Sequence, residues 1–222
     1  RELQSAIFRD VLNASASQTR RGILNAYLTS FFNAWLDYQS LYETPKKYTV
    51  AFCPRVLMAT GSYERFRQDN PNGYVVSSVR RPESWFASAE KHGYLDRYGS
   101  IDDVLQVWSD STDATYRAFK ANPDHVIVVA FEDLVTRPAD TMALIAGRIG
   151  VTYHPILETP TFNGIPAQSN SHFAPTHGVD PGVAKRSTLH VEPEVIDHIW
   201  ARMAEQYESQ CGEMLLKSCQ VV

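Results

Sequence analysis

The sequence predicts an α/β fold, a doubly wound parallel sheet flanked by helices, and three observations predict it. Tyr74–Val79 is a short β-branched run set between a Pro71-Asn72-Gly73 turn and a proline-led helical stretch. His125–Phe131 (HVIVVAF) is almost continuously apolar, the pattern of a strand covered on both faces of a parallel sheet. Around them lie segments of helical periodicity, so strands and helices alternate along the chain. Ligands of such sheets collect at the carboxyl ends of the strands, which marks Arg80, Arg55 and Glu132.

Composition sets the outer bounds. A chain of 222 residues suits one domain, and 44% hydrophobic with 11% aromatic residues is a globular balance. No stretch approaches the apolar length of a membrane span. The net charge of −4 gives no overall basic footprint for nucleic acid, so any anion site must be local. The three cysteines, Cys53, Cys211 and Cys219, have no metal-ligand spacing, which favours unpaired thiols in a reducing, cytoplasmic compartment. The first residue is Arg1 and no signal-peptide pattern follows it.

In chain order, Glu2–Leu12 reads as a helix. Gln18–Tyr42 reads as a second, with Leu24, Tyr27, Leu28, Phe31, Trp35 and Tyr38 at steps of three and four, an aromatic stripe expected to face the core. Tyr48–Cys53 (YTVAFC) reads as a strand stopped by Pro54, and Ser62–Gln68 as a short helix. Arg80 and Arg81 follow the Tyr74 strand at once, and Pro82 then opens a helix ending at Gly93. Next come a helix at about Ile101–Ala121, the His125 strand ending in Glu132-Asp133-Leu134, and a helix from Pro138 to Ile149 stopped by Gly150. His154–Leu189 has little periodicity, and a loop of that length in a compact domain is usually functional. Glu192–Ser209 returns to helix, with Val195, Ile196, Ile199, Trp200 and Met203 on one side.

The stretch YVVSSVRRPESWFASAEKHG, residues 74–93, is where chemistry concentrates. A strand that delivers arginine to a helix N-terminus supplies free backbone N–H groups, the positive dipole end and a fixed cation, which together make an anion site. Ser84 and Ser88 lie four residues apart and continue the polar track along one helical face.

Three stretches taken together resemble the sulfotransferases that use 3′-phosphoadenosine 5′-phosphosulfate (PAPS). VRRPESWFAS, residues 79–88, is similar to the family's 3′-phosphate loop, an Arg-x-Pro with a Ser eight residues after the Arg; Arg80, Pro82 and Ser88 fall on that spacing. Residues 126–151 are similar to its strand–YEDL–helix block, and residues 161–186 to the C-terminal loop that closes over the nucleotide. WLDYQSLYETPKKYTVAFCPR, residues 35–55, also resembles a bacterial branch of the family.

This resemblance implies a P-loop NTPase-like sheet with a long cofactor-closing loop. It also implies transfer of a sulfuryl group from PAPS to a hydroxyl or amine of a small-molecule or glycan-like acceptor, leaving 3′-phosphoadenosine 5′-phosphate. Arg80 and Ser88 are the implied 3′-phosphate ligands, with a charge-assisted fork and a hydroxyl donor. Lys185 and Arg186 are further cations of the closing loop, and Phe131 stands where the family often has tyrosine beside the adenine. No metal is required, and His172, His177 and His190 lack a tight ligand spacing. Self-association is left open.

Two departures qualify the likeness. No G-x-x-x-x-G-K-[ST] or related serine-rich loop occurs, although the family uses one to cradle the phosphosulfate. The likeness begins downstream of where that loop belongs, so an N-terminal strand–loop–helix segment of this single domain is expected to be missing, and donor binding and catalysis to be weak without it. The general base is the second gap. AFCPR offers no acid or histidine where family members carry one; Glu64 is the nearest downstream candidate and His172 can face substrate from the closing loop, whereas His92 reads as a helix end. Glu132 either orients the phosphate loops or serves as a cap or buried acceptor. Two alternatives remain: a Mg²⁺-dependent P-loop kinase of a nucleotide or small molecule, and a sulfotransferase-like scaffold without activity.

Overall fold

Strand β1 (Val75–Val79) runs parallel to β2 (Val126–Ala130), with Val75 opposite Val126 and Val79 opposite Ala130. This register brings the residues that follow, Arg80 and Phe131, out at the same end of the sheet. The computed structural model describes residues 1–15, 18–34, 48–162, 165–167, 178–186 and 188–216. The chain forms two compact units, Arg1–Val56 with Gly61–Asn72, and Leu57–Thr60 with Gly73–Val222.

In the second unit, β2 is buried along Val126–Val129, whereas β1 alternates and leaves Val76 half exposed. Ile127 and Val129 pack with Ile145, leaving Val126 and Val128 for the opposite face. Parallel strands need a long crossover, and three helices supply it: α4 (Pro82–Lys91), α5 (Tyr94–Tyr98) and α6 (Ile101–Ala121). Pro82 occupies the first turn of α4, as the sequence predicts. Ser100 caps α6 by accepting from the Asp103 N–H at 3.1 Å, and Val104, Leu105, Trp108, Thr112 and Thr115 form its buried face.

Beyond β2 come α7 (Phe131–Thr136) and α8 (Pro138–Ile149), the latter ended by Gly150 at φ 67°, a left-handed conformation that glycine adopts without steric cost. The aperiodic stretch after His154 holds a 3₁₀ turn (Pro155–Glu158), a minimal hairpin of β3 (Thr161–Phe162) with β4 (Ile165–Pro166), and the one-turn helix α9 (Val183–Arg186). Helix α10 (Pro193–Gln206) buries Ile199 and Met203, then widens into a π-helical turn, Tyr207–Cys211, before the short α11 (Gly212–Met214). Leu215 bridges Val128 on the far edge of β2, and the Leu216 N–H donates to the Val128 carbonyl at 2.7 Å. A mixed α/β architecture with a small parallel sheet is therefore what forms.

The first unit holds α1 (Glu2–Ala14), α2 (Arg20–Asn33) and α3 (Ser62–Asp69). Thr19 caps α2 by accepting from the Gly22 N–H at 3.1 Å, and Arg20 pairs with Asp69 at 3.0 Å to join α2 to α3. Two expectations fail here. The aromatic stripe of α2 is not core: Leu24 is 44% and Tyr27 50% exposed, and the buried positions are Ala26 and Ser30. Helix α1 packs on α2, and Tyr27 meets Phe8 of α1 edge-on at 6.5 Å while staying half exposed. Trp35 and Tyr38 lie outside the described residues. Tyr48–Cys53 forms no strand, and Val50 and Phe52 are 81% and 92% exposed. β-branched and aromatic residues stabilise a strand through cross-strand pairs, and this segment has no such pairing among the described residues. Arg55 consequently lies within a turn, residues 54–58, rather than at a strand end.

Candidate functional site

The end of β1 hands the chain to α4 through Arg80 and Arg81, and nearly every polar group there has an assigned partner. The Arg80 Nε donates to the Ser84 Oγ at 2.7 Å, one helical turn on, and the guanidinium carbon stands 4.4 Å from the centre of the Phe131 ring. Arg80 Nη2 is buried and has no hydrogen-bond partner among the described residues. Burial pulls the Arg80 pKa below its ordinary value, while the charges of Glu132 and Glu83 oppose that pull.

Arg81 provides no side-chain cap for α4, so the helix N-terminus keeps its positive dipole end without one. Its own side chain turns away, pairing with Glu83 (Nε to Oε1, 2.8 Å) and lying 5.2 Å from the Trp200 ring. Glu83 is 8% exposed, and its Oε2 is buried without a partner among the described residues. The Arg80 carbonyl accepts from Trp108 Nε1 at 2.9 Å, and the Arg81 N–H donates to Glu132 Oε1 at 3.1 Å.

The structure thus brings together Arg80, Phe131 and Glu132, with Ser88 half-buried a turn beyond Ser84 on α4. Helix α9, which carries Lys185 and Arg186, packs against α7, the helix that follows β2. Arg186 is ion-paired with Asp180, whose carboxyl that hydrogen bond holds below the usual carboxylate range; Lys185 is exposed. Glu64 lies in the first unit, exposed in the first turn of α3, and His172 and His177 fall outside the described residues.

Sequence reasoning missed the partners that matter most to Arg80. The spacing of Ser84 put it on the right helical face, but nothing local signalled that its hydroxyl receives the Arg80 Nε. Trp108 gave no signal, because it reads as one more apolar residue of an amphipathic helix. Among the described residues no group of three His, Cys, Asp or Glu is arranged to hold a metal ion, and no helix is long and apolar enough to cross a membrane.

A family model described as "Sulfotransferase family" matches residues 2–155. The chain belongs to the sulfotransferase family. A solved structure described as the sulfotransferase domain from the curacin biosynthetic pathway superposes with a TM-score of 0.56 at 19% identity, covering 91% of this chain and 78% of that one, a likeness of fold. A search of curated protein sequences found no match.

This sulfotransferase also carries a cavity of about 450 Å³ lined by Asp133, Arg137, Tyr207, Cys211, Leu215 and Leu216 among others. Its lining includes none of Arg80, Ser84, Ser88 or Phe131, so cavity volume and anion chemistry point to different places, and the chemistry decides. Tyr207 connects the two regions: burial, with the Glu132 charge next, pushes its phenol up to about 12, and its ring packs edge-on against Trp200 at 5.5 Å.

Proposed function

We propose that this sulfotransferase takes PAPS as its donor, with the 3′-phosphate received by Arg80 and Ser88, and that it transfers the sulfuryl group to a hydroxyl or amine of an organic acceptor. The observation that carries this reading is the buried, unpartnered Arg80 Nη2 beside an uncapped helix N-terminus. A buried guanidinium N–H without an acceptor is costly, and a phosphate oxygen is the acceptor a guanidinium fork suits best. Phe131, already stacked on Arg80, offers a flat apolar face to the adenine. Lys185, with Arg186 if it leaves Asp180, would add positive charge from the helix packed on α7. When bound, the donor supplies the activated sulfuryl group; these residues hold the carrier.

The acceptor class rests on family membership, and a reducing cytoplasmic setting is consistent with Cys53 and Cys211 being free thiols. The whole chain is taken as one sulfotransferase domain. Calorimetry with adenosine 3′,5′-bisphosphate and adenosine 5′-monophosphate tests the donor assignment. A charged hydrogen bond to the 3′-phosphate predicts tighter binding of the bisphosphate by about ten- to a hundredfold. Equal affinity for the two overturns the assignment, and tight Mg²⁺-dependent ATP binding in their place favours a kinase.

A further inference from the structure

The peptide group that joins Arg80 to Arg81 is held at both of its polar atoms by side chains from distant parts of the chain. On one side the Arg80 carbonyl accepts from Trp108 Nε1 of α6 at 2.9 Å; on the other the Arg81 N–H donates to Glu132 Oε1 of α7 at 3.1 Å. We infer that this is a clamp, and that Trp108 and Glu132 are positioning residues which aim Arg80 at the donor's 3′-phosphate. The inference rests on the reading that Arg80 receives that phosphate.

The need for such a clamp follows from where the strand ends. The last ladder pair is Val79 with Ala130, and the helical hydrogen bonds of α4 begin with the Trp85 N–H donating to the Arg81 carbonyl at 2.8 Å. The 80–81 peptide falls between the two and belongs to neither. A planar peptide with no secondary-structure partner can turn as a unit about its two flanking bonds, which leaves the backbone between the end of β1, where the Arg80 side chain is rooted, and α4 without a fixed direction. Trp108 and Glu132 hold its oxygen and its nitrogen, which point in opposite directions, and so block that rotation. The indole of Trp108 has one donor and the residue is 2% exposed, so the contact is dry and the donor is used on this carbonyl. Ser84 and the Phe131 ring then fix the guanidinium itself, which leaves Nη2 to meet a ligand. A guanidinium fork gives its full value to a phosphate only when its direction is set beforehand.

The charge of Glu132 separates this role from a merely electrostatic one. A carboxylate close to a phosphate site opposes anion binding, so if charge were its whole contribution, removing it would tighten the complex. If the clamp is its contribution, removing the acceptor loosens the complex despite the gain in charge. The two accounts predict opposite signs.

The test uses the full chain with Glu132→Ala, Glu132→Gln and Trp108→Phe, calorimetry with adenosine 3′,5′-bisphosphate, and amide hydrogen exchange of the unliganded protein. Glu132→Ala and Trp108→Phe are expected to weaken bisphosphate binding by about three- to tenfold, the range for one lost hydrogen bond. Glu132→Gln keeps an oxygen acceptor and is expected to restore binding to at least the wild-type level. In the unliganded protein the Arg81 amide is expected to exchange faster in Glu132→Ala and at the wild-type rate in Glu132→Gln. Unchanged or tighter binding by Glu132→Ala overturns the positioning role. An Arg81 amide that exchanges at the wild-type rate in Glu132→Ala overturns the clamp itself. Wild-type protein that fails to bind the bisphosphate removes the donor reading and the positioning role with it, while the exchange data still decide whether the clamp exists.

Discussion

Arg80→Ala separates a binding residue from a structural one, because the two roles predict different balances of stability and affinity. In the unliganded protein the truncation removes the Nε bond to Ser84 and the stacking on Phe131. A charge-assisted hydrogen bond contributes about 1.5–3 kcal/mol, and a partly buried cation–π contact about 0.5–2 kcal/mol. Against these stands the relief of a half-buried guanidinium whose Nη2 has no partner among the described residues, an unmet donor costing about 1–3 kcal/mol or more for a charged group. The sums largely cancel, so the stability of Arg80→Ala is expected to lie within about 1–2 kcal/mol of wild type in urea unfolding. Bisphosphate affinity has no such compensation and is expected to fall by about 1.5–3 kcal/mol, roughly ten- to a hundredfold, by calorimetry. Arg80→Lys keeps the charge and loses the fork, and should fall between the two. A variant destabilised by more than about 4 kcal/mol that still binds the bisphosphate at wild-type affinity refutes the reasoning, because Arg80 would then be a core cation and nothing more.

Two further outcomes follow from the packing. Ile199 of α10 is fully buried, so Ile199→Ala should cost about 2–5 kcal/mol in urea unfolding, and a loss below about 1 kcal/mol would mean that α10 does not seal this core. Cys53 is exposed whereas Cys211 is completely buried and its thiol pushed up to about 12 by burial. At about pH 8, near the ordinary thiol range, an alkylating reagent should therefore modify Cys53 in the native protein and Cys211 only after unfolding, read by peptide mass mapping. Rapid native labelling of Cys211 would contradict its burial.

Local chemistry was legible in the sequence wherever one residue dictates the backbone. Pro82 and Pro138 open their helices at the first turn, and Gly150 ends α8 in the left-handed conformation. The unbroken apolar run of β2 announced a strand covered on both faces. What failed shares one cause: periodicity states that a segment has an apolar face but not what will cover it. On α2 the buried positions are Ala26 and Ser30 rather than Leu24 and Tyr27 of the wide aromatic face, and the β-prone Tyr48–Cys53 segment found no described neighbour to pair with. At the site, Arg80 and Phe131 could be placed because strand ends are local features. Of their supports, Glu132 was placed at the strand end but not with its Arg81 N–H partner, and Trp108 was not placed at all, since Trp108 is 28 residues from Arg80 and Glu132 is 51 from Arg81, separations only the folded chain closes.

Charge balance at the strand end bears on how the proposed 3′-phosphate would be recognised there. Arg80 and Arg81 are accompanied by Glu83 and Glu132, so this group of four side chains carries no net charge, in a chain that is itself negative by 4. The formal charges of these four groups therefore do not by themselves draw a nucleotide to this place. Arg81 is engaged by Glu83 and turned toward Trp200, and Glu132 is engaged by a backbone N–H. What remains for a ligand is directional: the Arg80 Nη2, the helix N–H groups without a side-chain cap, and the Ser88 hydroxyl farther along the same helix. Recognition by directed donors in a neutral setting rewards a phosphate in one position over a phosphate merely nearby. That is the discrimination needed to tell a 3′-phosphorylated carrier from the far commoner nucleotides that bear a hydroxyl there.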